Sequence, residues 1–394
     1  MNGNSLAVVG AGPAGISVAL AAKDLNLRPL LIDRADDVGA SWRGRYDRLR
    51  LNTTRPRSRL PGRRYPPGTP VFPTRDEVVA YLERHGHEDG IDLRLGTTVE
   101  RVDRGDRSWV LRTSAGDVAA RHVVVATGYE NVPVVPPWPG RDTYTGELLH
   151  SSRYRNAEPF KARKVLVVGP GCSGAEIAYD LVTGGAAAVA LAVRTPPNII
   201  LRRPQALVAV PNDLLGEALM HVPVRLADAV ARLGQRSDVG DLGPYGLPFP
   251  DEGIYSRIYR DGGSPTIVDA EVVAAIKDGR IRIVGAVASF DATGVTLADA
   301  SRLEPDAVVC ATGYRSGLEP LVGHLGVLDG RGLPRALSEH APVPGLRFVG
   351  YAARPSMLGH TAAEARRVAR AVAREQHARG RPPRRAARRP TAAA

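Results

Sequence analysis

Apolar positions fall into short continuous runs and stretches of helical spacing, in the order strand, helix, strand. Leu6–Val9 is the first apolar run, and Gly10-Ala-Gly12-Pro-Ala-Gly15 follows it directly. An Ala-rich helix to about Leu25 and a second run, Pro29–Ile32, complete a β-α-β unit ending at Asp33. Residues 34–75 are rich in Arg and Pro and predict a long irregular excursion, a feature that compact folds usually reserve for function. Beyond it the pattern predicts a helix over Asp76–Arg84 and a small antiparallel sheet from Asp92–Arg94, Val99–Asp103 and Trp109–Arg112. Val123–Ala126 reads as a buried strand that ends in Thr127-Gly128-Tyr129.

The pattern then restarts. A Pro- and Arg-rich connection over 130–163 leads to the run Lys164–Val168, the turn Gly169-Pro-Gly171-Cys-Ser-Gly174, a helix over Ala175–Val182 and the run Val189–Val193. Residues 196–265 carry little periodicity beyond a helix near Pro223–Leu233. Arg280–Val284 and Gly294–Ala298 predict strands of a hairpin-rich piece, and Val308–Ala311 again ends in Thr312-Gly313-Tyr314. Leu346–Val349 is the last strand, and a closing helix follows from about Ala362 to Ala373. Gly-rich turns at 10 and 169, and Ala-Thr-Gly-Tyr at 126–129 and 311–314, mark an internal duplication. The expected fold class is α/β, with two Rossmann-like dinucleotide-binding domains, the second inserted into the first. The expected division is 1–158 with 301–378, then 159–300, then a tail over 379–394.

Composition sharpens this picture in three places. The chain has 394 residues, 43% of them hydrophobic, enough for two or three cored domains. The two cysteines, Cys172 and Cys310, form no C-x-x-C pair, which excludes a disulfide framework and a dithiol active site; they are read as inert thiols. Of the net charge of +12, six charges are arginines from Arg379 onward, in a segment of only Arg, Gly, Pro, Ala and Thr that is expected to be disordered. No basic leader and no membrane-length apolar run is found, so a cytoplasmic location with no membrane partner is expected, and no nucleic acid. The metal-ligand pattern is empty, and the oligomeric state is not written in the sequence.

The chemistry lies in the two Gly-rich turns. In Gly10-x-Gly12-x-x-Gly15 the first glycine permits the turn, the second lets backbone approach a pyrophosphate, and the third lets helix and strand pack closely. The helix N-terminus offers free N–H groups to the phosphates. Asp33, at the end of the next strand, is placed to bind ribose hydroxyls. The second turn, Gly169-x-Gly171-x-x-Gly174, has Arg194 and Thr195 at the matching strand end and no acid. A carboxylate there repels a 2′-phosphate and a guanidinium pairs with one, so this unit favours NADPH. Arg202 and Arg203 either join that phosphate pocket or are solvated.

The linker carries Tyr144-Thr-Gly146-Glu-Leu-Leu-His150-Ser-Ser-Arg-Tyr154. It resembles the F-x-G-x-x-x-H-x-x-x-[FY] fingerprint of class B flavin-dependent monooxygenases, with Tyr144 in place of Phe. The related Baeyer–Villiger enzymes typically end this motif in Trp-Pro; here Tyr154-Arg155 stands there, which sides with the flavin-containing monooxygenase branch. Ser41-Trp42-Arg43 and Tyr46-Asp-Arg48-Leu49 resemble the flavin-contacting stretch of YUCCA-type members, and the likeness runs over nearly all of residues 5–373. The resemblance implies a single-component enzyme that uses FAD, NADPH and O2 on a small-molecule substrate. NADPH reduces FAD, oxygen adds at flavin C(4a), and retained NADP⁺ shields the hydroperoxide until one oxygen atom passes to an amine, a thioether or a 2-oxo acid. It also implies that Asn52 sits beside the flavin and holds the oxygen adduct, the alternative being an Asn in a turn. An amide donates a hydrogen bond without supplying an acidic proton. Trp42 is either a flavin-edge contact or core packing, and His150 either fixes the linker or takes part in chemistry.

The expected FAD set is Gly10, Gly12, Pro13, Ala14, Gly15, Asp33, Arg34, Ser41, Trp42, Arg48, Asn52, Thr53, Val99, Thr127 and Gly128, with Thr312, Gly313 and Arg354. The expected NADPH set is Gly169, Gly171, Cys172, Ser173, Gly174, Glu176, Arg194 and Thr195. Thr361-Ala-Ala-Glu364 reads as a capping box that starts the last helix, with Arg354 or His360 supporting charge on the reduced flavin. Arg57, Arg59, Arg63 and Arg64 suit either an anionic substrate or solvent. The competing functions are an NADPH-flavin reductase passing electrons to a protein or quinone, which does not need the linker motif, and a non-catalytic flavin-binding regulator.

Overall fold

The computed structural model describes residues 4–203, 212–263, 266–352, 354 and 357–380. The first sheet has strands β1 (Asn4–Val9), β2 (Pro29–Ile32), β3 (Asp92–Arg94), β4 (Val99–Arg104), β5 (Trp109–Thr113) and β6 (Val118–Val125), in the order β3-β2-β1-β6-β5-β4. β3, β2, β1 and β6 run parallel, and β6 turns the sheet antiparallel through β5 and β4. The small separate sheet expected over 92–112 is therefore a continuation of the main one. With β1 along one edge, β6 is long enough for two partners along the other: its first residues pair with β5, and Val123–Val125 pair in parallel with Leu346–Phe348.

The second sheet contains β7 (Glu147–His150), β8 (Lys164–Val168), β9 (Ala188–Ala192), β10 (Ile281–Val284) and β11 (Ala307–Cys310). Its order is β10-β9-β8-β11-β7, parallel throughout. β8, β9 and β11 are buried runs of Val, Leu and Ala, as a sheet covered on both faces requires. Two of its strands, β7 and β11, lie outside residues 159–300.

Helix α1 (Pro13–Lys23) is buried from Ala14 to Ala22, because it lies between the first sheet and the closing helix. Helix α2 (Arg75–Gly86) starts on a capping box, Thr74 with Glu77. Helix α3 (Cys172–Thr183) follows the second glycine turn and begins three residues earlier than its apolar spacing suggests. The stretch that read poorly holds α4 (Asn212–Leu219), α5 (Val224–Val239) and α6 (Ile254–Asp261), followed by α7 (Ala270–Lys277). Helix α8 spans Met357–Gly380. It begins before Thr361, so the proposed capping box lies inside the helix. Its carboxylate serves another purpose: Glu364 Oε2 accepts from Gly350 N at 3.2 Å. The tail from 381 lies outside the described residues, and helix reaches Gly380, past the expected break at 379.

α1 and α8 approach closely because small residues meet: Ala365 and Ala369, both fully buried, share one core with α1. Ala369→Leu is expected to lower unfolding stability by about 1–3 kcal/mol through overpacking. Urea unfolding checks this, and an unchanged midpoint would show that α1 and α8 can separate freely.

Candidate active site

The two glycine turns are built alike. A Cβ on Gly15 would stand 1.7 Å from the Gly10 carbonyl oxygen, and one on Gly174 would stand 1.9 Å from that of Gly169. No side chain fits either place, so helix and strand meet backbone to backbone. The middle glycines are open. Nothing lies within 4 Å of a Cβ placed on Gly171, and only Ser41 Oγ, at 3.7 Å, lies near one on Gly12. Gly12 and Gly171 cap α1 and α3 with no side-chain hydrogen bond, which leaves the first N–H groups of each helix for a ligand. This donor arrangement fits a pyrophosphate at both turns.

Both turns border one cavity of about 1430 Å³. Pro13, Ala14, Ser41, Trp42, Asn52, Thr53, Thr127, Gly128, Thr312, Gly313 and Arg354 line it from the expected FAD set. Every residue of the expected NADPH set lines it too, Arg194 and Thr195 included. Asp33 stands beside the first turn: Oδ2 accepts from Ala11 N at 2.5 Å and Oδ1 from Ala35 N at 2.8 Å, with lone pairs left over. Gly10, Gly12, Gly15 and Asp33 do not line the cavity themselves, and three further expected contacts are engaged elsewhere. Arg34 donates to Asn131 at 2.9 Å, Arg48 stacks its guanidinium over the Tyr179 ring at 4.5 Å, and Val99 packs at the edge of the first sheet's core. His360 also departs from expectation, lining a second cavity of about 620 Å³. Leu358 and Thr361 of the same turn line the first.

The linker motif is structural. His150 is buried; its Nδ1 accepts from Ser152 N at 3.1 Å, which leaves Nε2–H to donate to the Gly313 carbonyl at 3.0 Å. Burial holds its pKa below the ordinary histidine value, in keeping with a neutral ring. Tyr144 donates to the Pro305 carbonyl at 2.6 Å and Tyr154 to Asp180 at 2.7 Å. The three rings thus tie the linker to the turns on either side of β11 and to helix α3.

At the junction of the two units sits a charged cluster that the sequence did not reveal. Glu176 is buried on α3; its Oε2 accepts from Tyr46 OH at 2.8 Å and its Oε1 from Arg202 at 2.6 Å. Arg202 also pairs with Asp269 and donates to Asn52 Oδ1 from Nε at 3.1 Å and from a terminal nitrogen at 2.9 Å. Arg202 is therefore committed to this cluster and is not part of a phosphate pocket, while Arg203 lies over the Phe72 ring. Burial raises the Glu176 carboxyl to about 7 against the pull of Arg202, and the like charge of Asp269 adds to the rise. Burial also pushes the Cys172 thiol up to about 12. Cys172 and Cys310 are both unpaired, Cys310 being buried and Cys172 half-buried at the cavity. Sequence reading also missed Arg257, a buried arginine that lines the cavity from α6, in the stretch without clear periodicity. Among the described residues, no helix is long and apolar enough to cross a membrane and no group of three or more metal-ligating side chains occurs.

Fold and paired turns together define a flavoprotein oxidoreductase of the FAD- and NADP-binding class. A flavin-binding monooxygenase-like family model matches residues 115–322, and a pyridine nucleotide-disulphide oxidoreductase model matches 7–206. The indole-3-pyruvate monooxygenase YUCCA1 of Oryza sativa subsp. japonica is 34% identical over 316 residues, 79% of this chain and 77% of its own. In structure, a flavin-containing monooxygenase from Stenotrophomonas maltophilia is similar, with TM-score 0.69 and 23% identity over 95% of this chain and all of that one. OTEMO in complex with FAD and NADP gives TM-score 0.69 and 17% identity, covering 95% of this chain and 85% of that one. The chain belongs to the flavin-binding monooxygenase-like family, and it is a flavin-dependent monooxygenase.

A carboxyl held near 7 in the fold but ordinary when unfolded adds stability at pH below the ordinary carboxylate range. It loses that contribution as pH rises towards 7. The melting temperature of wild type relative to Glu176→Gln is expected to fall between pH 5 and 8, in thermal melts at both values. A gap that does not change with pH would show that Glu176 does not titrate in that range.

Proposed function

We propose that the Gly10–Gly15 turn holds FAD and the Gly169–Gly174 turn holds NADPH, and that the enzyme passes one oxygen atom from O2 to a small organic acid. The carrying observation is that both turns open on the same cavity and that the two units touch there, Asn52 Nδ2 lying 3.5 Å from Cys172 Sγ. That arrangement supports direct hydride passage between cofactors. When bound, the flavin supplies hydride acceptance and oxygen activation at C(4a). The chain supplies placement: helix N-termini for the pyrophosphates, Asp33 for a ribose, and Arg194 for a 2′-phosphate. Arg194 is exposed and lines the cavity, where such a partner can reach it.

Asn52 offers an N–H donor that carries no acidic proton to the reaction region. The Cys172 thiol, held protonated and without a second thiol beside it, argues against disulfide reduction. Apolar residues of the α4 and α6 segments, Leu215, Leu219, Ile254 and Ile258, line part of the cavity and support an apolar body for the substrate. Of the amine, thioether and 2-oxo acid classes, similarity to an indole-3-pyruvate monooxygenase favours the 2-oxo acid, with indole-3-pyruvate as first probe. The sheet memberships support drawing the NADPH unit wider than 159–300, to take in β7 and β11.

The direct test is to reduce the FAD-loaded protein with NADPH without oxygen, then mix it with oxygen alone. A long-lived near-ultraviolet species before oxidised FAD returns is the expected result. Immediate return with hydrogen peroxide would favour the reductase reading. Arg194→Ala is expected to raise the KM for NADPH by roughly 10- to 100-fold, the worth of a charged hydrogen bond, and to leave that for NADH unmoved. Equal changes for both nucleotides would remove Arg194 from the 2′-phosphate site.

A further inference from the structure

We infer that Arg202 is a positioning residue: it fixes the orientation of the Asn52 side-chain amide, and Glu176 and Asp269 fix Arg202. The inference rests on the proposed placement of Asn52 beside the flavin. An asparagine amide has an oxygen and a nitrogen of nearly equal shape, so a free one presents either end to a neighbour. Here one end receives two N–H groups of the same guanidinium, at 3.1 and 2.9 Å. A guanidinium has no acceptor, so that end must be oxygen. The NH2 end then faces the opposite way, towards Cys172 and the cavity. The orientation matters because the two ends do opposite things. NH2 donates to an oxygen adduct, whereas a carbonyl oxygen repels one.

Arg202 is itself held on three sides. Its side chain is only 13% exposed, with Glu176 and Asp269 paired to it and Asn52 as the third partner. The two carboxylates come from different segments of the second unit, one from α3 and the other from the residue that precedes α7. Asn52 belongs to the long excursion of the first unit. The second unit therefore sets the donor direction of a first-unit side chain, and does so only when the two units are docked. A lysine keeps the charge but cannot place two N–H groups on one oxygen in a fixed fork.

The test is a cycle of wild type, Asn52→Ala, Arg202→Met and the double variant, each loaded with FAD and reduced with NADPH. The first readout is the rate constant of hydrogen peroxide release on mixing with oxygen. The second is the Asn52 side-chain amide signal of the FAD-free chain labelled with 15N-asparagine, assigned by its loss in Asn52→Ala. Both single variants are expected to release peroxide severalfold faster than wild type, and the double variant no faster than Asn52→Ala alone. In Arg202→Met the Asn52 amide signal is expected to shift while FAD affinity is retained. An unchanged peroxide rate in Arg202→Met, or effects that multiply in the double variant, would overturn the inference. So would a raised NADPH KM as the only change. If Asn52→Ala itself leaves peroxide release unmoved, the reading of Asn52 falls, and the amide signal alone decides whether Arg202 orients it. Should Arg202→Met fail to fold because Glu176 and Asp269 lose their partner, Arg202→Gln carries the same expectations, since its amide offers both a donor and an acceptor and does not dictate which end of Asn52 it meets.

Discussion

A helix that starts without a side-chain cap leaves N–H groups unsatisfied, and this chain brings two such starts, at Gly12 and Gly171, to the border of one cavity. Much else follows from that constraint. Each helix must sit on its strand with no side chain between them, which only glycine at 15 and 174 permits. Each strand must be buried on both faces so that the turn is rigid, hence the unbroken Val, Leu and Ala runs. The linker between the units must be pinned, and Tyr144, His150 and Tyr154 pin it to the second unit.

The parts of this design that repeat were legible in the sequence. Both turns, both Ala-Thr-Gly-Tyr strand ends and the parallel strands beside them are local patterns, set within a few residues by backbone sterics. What could not be read depends on distance. The partners of Glu176 are 130 residues before it and 26 residues after it, and no spacing rule connects Tyr46, Glu176 and Arg202. The same applies to the first sheet. Asp92–Arg94 pairs with β2 across the whole excursion, so the local pattern suggested a separate antiparallel piece.

Two misreadings have clear physical causes. Thr361 and Glu364 have the spacing of a capping box, but Met357 and Leu358 extend the helix by a turn, and the buried Glu364 reaches Gly350 instead. Arg202 and Arg203 stood alike in the sequence, open to a phosphate pocket or to solvent, and only the carboxylates of Glu176 and Asp269 beside Arg202 distinguish the two. Helices α4 and α6 were hard to see because each spans only eight residues and carries an exposed apolar side chain, Leu214 or Tyr259, on its polar face.

Helix α8 starts at the cavity and leads away from it. Its first residues, Met357 and Leu358, line the cavity, and it continues for 24 residues without interruption. At 1.5 Å per residue its last turn lies roughly 35 Å from its first. Whatever is attached beyond Gly380 therefore starts well away from the reacting groups. A surface tether, a reporter domain or a fused reductase joined there starts a helix length away from the cavity, which makes this end the natural attachment point for immobilising the catalyst.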